Sequence, residues 1–326
     1  MKKDYLKQIS ETTISSIKTI DFLNLEISEY NKNYIKNLFP HIDYYFEIYT
    51  DVVSRLNIDN NSTDYIIDFG GGHGFLSLFL KQLRMNVIYC DHNPLSVKTI
   101  TLIKNKIGYG PDIIIEGSSL ELLLFCKNNN ITPKYLIATD LIEHVYDLDK
   151  LFSTLNVLNP NLSMVFTTGS VKSNFLKTRK LRKIMIEEET ESYLPARKKF
   201  ISEKFPNLDT NVLNILTKQT RGLIYPDIKQ FVEIYLKTNN MPVFEIDRYN
   251  TCDPKTGNWT ERILSKKQFR KIFNKNGFQV TFENGFYNTN RSNVISTGIA
   301  KFANFIMRHF KIIGSKFNPL MILIVK

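Results

Sequence analysis

The segment Ile66-Ile67-Asp68-Phe69-Gly70-Gly71-Gly72-His73-Gly74 carries the strongest structural signal in the chain. An apolar run leads into a carboxylate, and four glycines follow within five residues. Glycine allows a sharp backbone turn, and a helix that begins there points its free N–H groups at a ligand. The segment therefore predicts a strand, a ligand-binding loop and a helix, with a nucleotide as the favoured ligand over an unliganded turn.

The same alternation of short apolar strand and amphipathic helix continues from Asp64 to Gly169. The candidate strands are Asp64–Phe69, Asn86–Asp91, Asp112–Glu116, Lys134–Asp140 and Leu162–Thr168. The candidate helices between them lie around Gly74–Arg84, Pro94–Ile107, Ser118–Asn128 and Leu148–Leu158. This pattern predicts an α/β fold in which helices cover both faces of a parallel sheet.

The flanking regions divide the rest of the chain. Apolar residues at intervals of three and four predict helices before the sheet, with Pro40 as a break. After Gly169, about eighty charged, helical residues form an insertion that is too long for a connection within a sheet. A helix near Ser265–Asn276 and strands at Phe278–Tyr287 and Leu320–Val325 then complete the alternation. We therefore expect four parts: an N-terminal helical segment (1–60), a cofactor-binding core (61–169), a helical lid (170–250) and a C-terminal part of the core with a basic insertion (251–326).

The spacing of the glycines indicates which nucleotide is bound. A dinucleotide fingerprint, Gly-x-Gly-x-x-Gly, fails because its last position is Ser77. The frame Asp68-x-Gly70-x-Gly72-x-Gly74 fits at every position and resembles the first motif of class I S-adenosylmethionine-dependent methyltransferases. The resemblance implies that the three glycines line the cofactor and that Asp68 orders its amino end. It also implies a Rossmann-like, seven-stranded, mostly parallel sheet with an antiparallel last strand.

The next two strands each end in polar residues. Asp91 closes the second strand, where a carboxylate can accept both hydrogen bonds of a ribose diol. The third strand runs into Glu116-Gly117-Ser118-Ser119. By the resemblance, Ser118 faces the adenine, although it can equally cap the helix that follows.

The fourth strand runs into Asp140-Leu141-Ile142-Glu143-His144. This resembles the Glu-His motif of the ubiquinone-biosynthesis O-methyltransferase-like branch, which implies that Asp140, Glu143 and His144 hold a divalent cation such as Mg²⁺ and that Asp140 borders the cofactor. Taken without the resemblance, such a cluster can ligate a metal, supply a general base or only shape the pocket. We predict His144 as the base that deprotonates the acceptor, with Glu143 as its catalytic partner and His73 as the second candidate base.

The acceptor is less well specified by the sequence. Asp253, Trp259 and Arg262 lie in a segment that faces the active site in relatives, and an aromatic face with charged neighbours suits a sugar. Arg221 of the insertion is a further candidate for an anion contact. These residues predict O-methylation of a sugar or glycan intermediate of surface polysaccharide biosynthesis, with a lipid-linked form included. The alternatives are a structural turn anchored by the tryptophan, a prenylated quinol or other small aromatic acceptor, a non-catalytic binding protein with a cofactor fold, and an NAD-dependent oxidoreductase, which the glycine spacing disfavours.

The positive charge is concentrated in two segments. The chain carries 43 Lys and Arg against 32 Asp and Glu, a formal charge of +11. Lys172–Lys183 and 284–326 each contain six basic residues and no acid. The first could attract a phosphorylated acceptor; in the second, residues such as Ile299 and Phe302 form an apolar helical face among basic residues, as in helices on anionic membranes. No basic-aromatic RNA motif or helix-turn-helix pattern accompanies the charge, so nucleic acid is not an expected partner.

Composition sets the remaining expectations. A hydrophobic content of 43% excludes a disordered or fibrous chain. The charged start of the sequence is unlike a secretory signal, and the longest apolar runs are far shorter than a membrane span. With three scattered cysteines, a disulfide framework is excluded. We therefore predict a cytoplasmic enzyme that can associate peripherally with the inner face of the membrane.

Overall fold

The computed structural model describes residues 3–59, 62–242, 249–290 and 293–326. Within these ranges, seven strands form one sheet in the order β3-β2-β1-β4-β5-β7-β6. The strands are β1 (Tyr65–Phe69), β2 (Asn86–Asp91), β3 (Ile113–Glu116), β4 (Tyr135–Thr139), β5 (Ser163–Thr168), β6 (Val280–Asn284) and β7 (Met321–Val325). The first five are parallel, and β7 pairs antiparallel with both β5 and β6. This confirms the predicted Rossmann-like, mostly parallel sheet and its antiparallel last strand.

Helices flank the sheet and form the insertion. They are α1 (Lys3–Lys18), α2 (Glu29–Leu38), α3 (Ile42–Ser54), α4 (Phe75–Gln82), α5 (Pro94–Ile107), α6 (Ser119–Asn128), α7 (Leu148–Leu158), α8 (Phe175–Glu188), α9 (Leu194–Lys204), α10 (Thr210–Gln219), α11 (Tyr225–Thr238), α12 (Lys266–Lys275), α13 (Val294–His309) and α14 (Lys311–Gly314). Pro40 lies in a 3₁₀ turn between α2 and α3, so the predicted break is confirmed. A proline fits there because it cannot donate to a continuing helix.

Apolar layers pack on both faces of the sheet. On one face, Phe46 of α3 meets Phe79 of α4, with their ring centroids 5.8 Å apart. On the other, Phe152 of α7 meets Phe273 of α12 at 4.3 Å. Both layers bury alternate residues of the central strands, which explains why β1 and β4 read as nearly continuous apolar runs.

The N-terminal helices are attached at fixed points. The side-chain amide of Asn31 in α2 donates to the main-chain oxygen of Leu95 at 2.9 Å and to the Thr99 hydroxyl at 2.7 Å, both in α5. The Tyr44 hydroxyl of α3 donates to the main-chain oxygen of Phe286 at 2.7 Å. These bonds hold α2 and α3 against the edge of the sheet where the parallel strands end.

The insertion has a small core of its own. Ile201, Leu216, Ile228 and Phe231 from α9, α10 and α11 pack together, apart from the two large layers. In a buried ion pair, Arg197 donates to Glu189 through Nη1 at 3.1 Å. In the described parts of the chain, no helix is both long and apolar enough to cross a bilayer.

Candidate active site

A cavity of about 400 Å³ opens where the parallel strands end. Its walls come from the ends of β1, β2, β4 and β5 and from the N-terminal helices α2 and α3. The residues on which the argument depends are Tyr30, Tyr34, Tyr45, Tyr49, Asp68, Gly70, Gly72, His73, Asp91, His92, Asp140, His144 and Thr167. Ligands of open α/β sheets bind at this edge, and the volume suits a small molecule.

The glycine loop presents its backbone to the cavity. Gly70 and Gly72 have φ angles of +68° and +53°, a conformation that side chains resist. A Cβ at Gly72 would meet no atom of the protein within 4 Å, although the residue lines the cavity. A side chain there would therefore extend into space that the protein leaves open, which is the arrangement expected where backbone approaches a ligand.

Asp68 lies beneath the loop. Its carboxylate is only 2% exposed and accepts a hydrogen bond from the Ser77 hydroxyl at 2.7 Å. Burial raises the pKa of Asp68 to about 7, and the neighbouring Asp91 adds to the increase. Because Asp68 borders the cavity, a positively charged group in the cavity would favour its ionised form.

Asp91 is fixed at the end of β2. One carboxylate oxygen accepts from the Gly72 N–H at 2.8 Å, and the other accepts from the Asn93 N–H at 2.8 Å. A carboxylate oxygen can accept two hydrogen bonds, so each retains capacity for a ligand hydroxyl. The structure thus places Asp91 where a ribose diol could bridge both oxygens.

Ser118 does not take its predicted place beside the adenine. It caps α6, where its hydroxyl accepts from the Leu120 N–H at 3.2 Å and its own N–H donates to Glu121 at 2.7 Å. In this capping box the Ser118 hydroxyl also donates its proton to the Glu121 carboxylate, at 2.6 Å. His92 and Asn93 line that end of the cavity instead.

His144 lines the cavity with a defined tautomer. Its Nδ1 lies 2.8 Å from the main-chain oxygen of Trp259. A carbonyl oxygen can only accept, so Nδ1 carries the proton and Nε2 holds the free lone pair. The Trp259 N–H donates to the main-chain oxygen of His144 at 3.1 Å, and the Arg262 N–H donates to that of Glu143 at 2.9 Å. These bonds fix the position of the imidazole ring.

The prediction that Glu143 is catalytic is corrected by its surroundings. The side chain is 2% exposed and does not line the cavity. One oxygen accepts from the Gly169 N–H at 2.9 Å, and the other has no hydrogen-bond partner among the described residues. Burial raises the pKa of Glu143 to about 7. Glu143 therefore joins the loop after β4 to the loop after β5 and has no direct contact with the main cavity.

The three predicted metal ligands do not all face the cavity. Asp140 and His144 both line it, whereas the Glu143 carboxylate accepts from the Gly169 N–H and does not line it. In the described ranges, no three His, Cys, Asp or Glu side chains are grouped closely enough to hold a metal ion. The residues present therefore do not fit the Mg²⁺ that the resemblance implied.

Asp140 remains part of the cavity wall. Its φ angle is +49°, a strained conformation for a residue other than glycine, and its N–H donates to the main-chain oxygen of Thr167 at 3.2 Å. The carboxylate is open to the cavity but surrounded by protein elsewhere, and this reduced hydration raises its pKa. The strained turn directs attention to Asp140 because such strain accumulates at functional sites.

Two residues predicted to recognise a sugar, Trp259 and Arg262, do not line the main cavity. Trp259 is 5% exposed, and its ring stacks on Tyr146 with the centroids 5.9 Å apart. The Arg262 guanidinium lies over the Trp259 ring, 5.1 Å from its centroid, and donates to the main-chain oxygen of Tyr146 at 3.1 Å. The indole therefore offers no open face to a pyranose ring in the main cavity.

Asp253 and Arg221 are likewise corrected. Asp253 closes a turn, where it accepts from the Lys255 N–H and the Thr256 hydroxyl, each at 2.9 Å. Arg221 donates to the main-chain oxygens of Tyr249 and Asn250 at 2.6 and 3.2 Å. Neither residue lines the main cavity, so neither can contact an acceptor bound there.

His73 is unsuited to the role of second base. Burial lowers its pKa to about 3, and its Nδ1 accepts from the Phe75 N–H at 3.2 Å. Its ring packs between Phe75 and Tyr34, at centroid distances of 4.1 and 5.6 Å. His73 stays neutral and is a weak base, so it does not suit the role of a general base.

The sequence analysis missed a wall of tyrosines. Tyr30 and Tyr34 of α2 and Tyr45 and Tyr49 of α3 all line the cavity. Burial raises the pKa of Tyr34 to about 12 and raises that of Tyr45, so both phenols remain protonated near neutral pH. The sequence did contain a signal for this wall. The tyrosines form two pairs, and in each pair they are four residues apart, a spacing that places both on the same face of a helix.

The insertion lies to the side of the cavity. No residue in its described part, 170–242, lines the main cavity. Gly222, Leu223 and Asp227 instead border a second cavity of about 270 Å³, together with Trp259 and Arg262. The N-terminal helices, and not the described part of the predicted lid, form the cover of the main cavity.

The sequence matches no protein-family model and no curated protein sequence. Solved structures with a similar fold include a protein from Galdieria sulphuraria described as a sarcosine dimethylglycine methyltransferase (21% identity, 37% of this chain and 44% of that chain, TM-score 0.32). Another is PKMT2 from Rickettsia typhi (15% identity, 81% of this chain and 48% of that chain, TM-score 0.39). A third is a SAM-dependent methyltransferase from Archaeoglobus fulgidus (12% identity, 81% of this chain and 86% of that chain, TM-score 0.35). The chain spans less than half the length of the first two. At identities of 12–21% and TM-scores of 0.32–0.39, these similarities concern the fold and not the activity.

Proposed function

We propose that this chain is an S-adenosylmethionine-dependent methyltransferase that methylates a hydroxyl group. One observation carries the proposal: the glycine loop, Asp68 and Asp91 border a single cavity at the end of the parallel strands. Gly72 leaves open space and Asp91 keeps acceptor capacity on both oxygens. A ribose diol and an ammonium group find partners there, in Asp91 and Asp68 respectively.

S-adenosylmethionine, when bound, supplies a methyl group on a positively charged sulfur. The chain itself has to orient the acceptor in line with that methyl and remove the proton of the acceptor hydroxyl. His144 meets the second need, because its Nε2 is free and its Nδ1 is fixed to Trp259. Asp140 stands beside it in the cavity wall and can accept a hydrogen bond from the acceptor. The α2 and α3 helices form one wall of this region.

The acceptor would occupy the part of the cavity that is not lined by the glycine loop, Asp68 and Asp91. Tyr34, Tyr45 and Tyr49 provide apolar ring surface with neutral hydroxyls. Flat aromatic rings pack against such surfaces, and the phenol groups can donate to ring substituents. With Trp259 stacked inside the protein, the sugar acceptor loses the residue that favoured it. We therefore favour a small hydroxylated aromatic acceptor, such as a quinol, and keep a sugar or glycan intermediate as the second candidate.

Two glycines offer a matched test of the cofactor site. Gly72 and Gly108 both have positive φ angles, +53° and +80°, and a Cβ on either would meet no protein atom within 4 Å. Only Gly72 lines the cavity. In calorimetry with S-adenosylmethionine, we expect Gly72→Ala to lose binding and Gly108→Ala to bind as the wild-type chain does. No binding by the wild-type chain at millimolar cofactor would refute the proposal.

The acceptor is tested by turnover. Release of S-adenosylhomocysteine is measured with a series of catechols and quinols and, in parallel, with sugar nucleotides and lipid-linked sugars. We expect turnover with the aromatic series and a higher KM in Tyr34→Phe, which loses one hydroxyl of the wall. Turnover only with sugars would assign the glycan alternative.

A further inference from the structure

The two acid-free basic segments, far apart in the sequence, meet on the surface. The Ser173 hydroxyl donates to the main-chain oxygen of Ser315 at 2.8 Å, and the side-chain amide of Asn174 donates to that of Asn318 at 3.0 Å. Lys177 also donates to the main-chain oxygen of Pro319. The start of α8 is therefore bound to the turn between α14 and β7.

Large apolar side chains are exposed along this junction. Phe175 and Leu176 at the start of α8 are 70% and 72% exposed, and Phe317 in the adjoining turn is 48% exposed. Further exposed side chains follow on α13 and α14. We call this set the basic aromatic surface; its apolar members are Phe175, Leu176, Ile295, Ile299, Phe302, Phe305, Ile313 and Phe317.

The solvent-exposed face of α13 is largely apolar. Ala300 and Met307, seven residues apart, are buried and face the protein. At 100° per residue, Ile295, Ile299 and Phe302 lie within about 60° of one another, and their mean direction is about 120° away from that of Ala300 and Met307. Phe302 remains 65% exposed, whereas a helix of this kind normally buries its apolar face.

The charges around this face are basic. Lys172 and Lys180 of the first segment and Lys301, Arg308 and Lys316 of the second are all exposed. None of the five forms an ion pair with another described residue. The sequence from 285 to 326 itself contains no acid. Arg308 borders a cavity that Asp51 and Glu283 also line, although neither is paired with it. The surface therefore combines exposed apolar side chains with basic residues that form no ion pair among the described residues.

We propose that the basic aromatic surface docks on a lipid bilayer that contains anionic headgroups. The apolar and the basic side chains each have a counterpart in such a bilayer. Aromatic and aliphatic side chains enter the interfacial layer, and basic residues attract the anionic headgroups. A nucleic acid would satisfy the charges but leave the isoleucines and phenylalanines in water. A second copy of the chain would bury the apolar side chains but place like charges together.

The docking surface is linked to the cavity through short contacts. Asn304 of α13 exchanges hydrogen bonds with the backbone of Tyr287, at 2.7 and 2.9 Å. The neighbouring Phe286 accepts from Tyr44 of α3, the helix that carries Tyr45 and Tyr49 into the cavity. Docking would thus bring the cavity close to the bilayer. The inference does not depend on the proposed function, because lipid binding is measured without cofactor or acceptor.

The test is sedimentation of the full chain with vesicles of phosphatidylcholine, with and without phosphatidylglycerol. We expect binding only to the anionic vesicles and a loss of at least about tenfold in Phe302→Asp/Phe305→Asp. Leu23→Asp and Val157→Asp, at side chains that are 76% and 58% exposed elsewhere, are the matched controls and should bind as the wild-type chain does.

A second pair of variants tests the charges. Lys301→Ala/Arg308→Ala should weaken binding to anionic vesicles about 25-fold, since each basic residue near such a surface contributes about fivefold in affinity. The control, Lys127→Ala/Lys204→Ala, removes two exposed charges elsewhere and should leave binding unchanged. Melting temperatures verify that all variants fold.

Three outcomes would overturn the inference. One is an absence of binding by the wild-type chain, and another is equal binding to neutral and anionic vesicles. The third is a dimer in solution, measured by light scattering, that dissociates in Phe302→Asp/Phe305→Asp, because a second copy would then cover the surface.

Discussion

His144 and Trp259 are joined twice: the Nδ1 of His144 donates to the main-chain oxygen of Trp259 at 2.8 Å, and the Trp259 N–H donates back to the His144 carbonyl at 3.1 Å. The pairing brings together two positions 115 residues apart in the sequence. It fixes the ring and sets the proton of the neutral imidazole on Nδ1, so that Nε2 carries the lone pair. The tryptophan thus contributes to the site through its backbone, while its indole is buried.

Replacement of His144 by alanine removes the proposed base. We expect turnover to fall by about 10²- to 10⁴-fold, the usual contribution of general base catalysis, with little change in cofactor affinity. His309→Ala, at an exposed histidine on α13, is the control and should keep full turnover. Wild-type turnover in the His144 variant would remove this residue from the mechanism.

Asp91→Asn tests the ribose contact. The amide keeps the shape of the side chain but can no longer accept hydrogen bonds on both of its terminal atoms. Hydrogen bonds to a charged group contribute about 1.5–3 kcal/mol, so we expect the Kd for S-adenosylmethionine to rise by about 10- to 100-fold in calorimetry. Asp64→Asn is the control and should leave the Kd unchanged. Asp64 precedes the start of β1, pairs with Lys134 and does not line the cavity.

The affinity for S-adenosylmethionine should depend on pH through Asp68. Its pKa of about 7 means that the carboxyl group of the free protein is protonated, and therefore neutral, at lower pH. A cationic ligand requires the ionised form, so the affinity should decrease as the pH falls below about 7, by up to about tenfold per pH unit. Calorimetry between pH 5.5 and 8 measures this slope. Asp68→Asn should remove it, and an unchanged slope in that variant would assign the titration elsewhere.

Glu143→Gln should alter the pH dependence of stability. The folded protein keeps the Glu143 proton up to a pH of about 7, whereas the unfolded chain releases it near 4.5. The free energy of unfolding therefore falls as pH rises between these values, by on the order of 3 kcal/mol from this group. Glutamine cannot ionise but can still accept from the Gly169 N–H. In urea unfolding at pH 5 and pH 8, the variant should lose less stability than the wild-type chain; an equal loss would contradict the assignment.

Local patterns predicted most of the strands and helices, whereas the seven-stranded sheet with its antiparallel last strand was implied by the family resemblance. The ranges of β2, α5 and α7 agree with the structure residue for residue, because strand and helix periodicity and capping residues are encoded within each segment. The β6 prediction, Phe278–Tyr287, was longer than the observed Val280–Asn284. Its limits are set by pairing with β7, which lies some forty residues away.

The cofactor side of the site was also predictable in large part. Gly72 lies in the loop after β1 and Asp91 at the end of β2, and the Gly72 N–H donates to Asp91. The cofactor role predicted for Gly72 came from the family resemblance, and that predicted for Asp91 came from its place at the strand end. Ser118 was not separable in the same way, because a serine after a strand suits a ligand contact and a helix cap equally well. The structure decided for the cap.

The residues alone specify a doubly covered parallel sheet, a glycine loop with a carboxylate on either side, and two segments of unbalanced positive charge. The tertiary structure decides which side chains share a cavity: it assigns Tyr34 and Tyr45 to the wall, fixes the tautomer of His144, and turns Trp259 and Glu143 inward. It also joins the two basic segments into one surface. The physical reason is that periodicity and capping act over a few residues, whereas burial and hydrogen-bond partners depend on chain segments that only folding brings together.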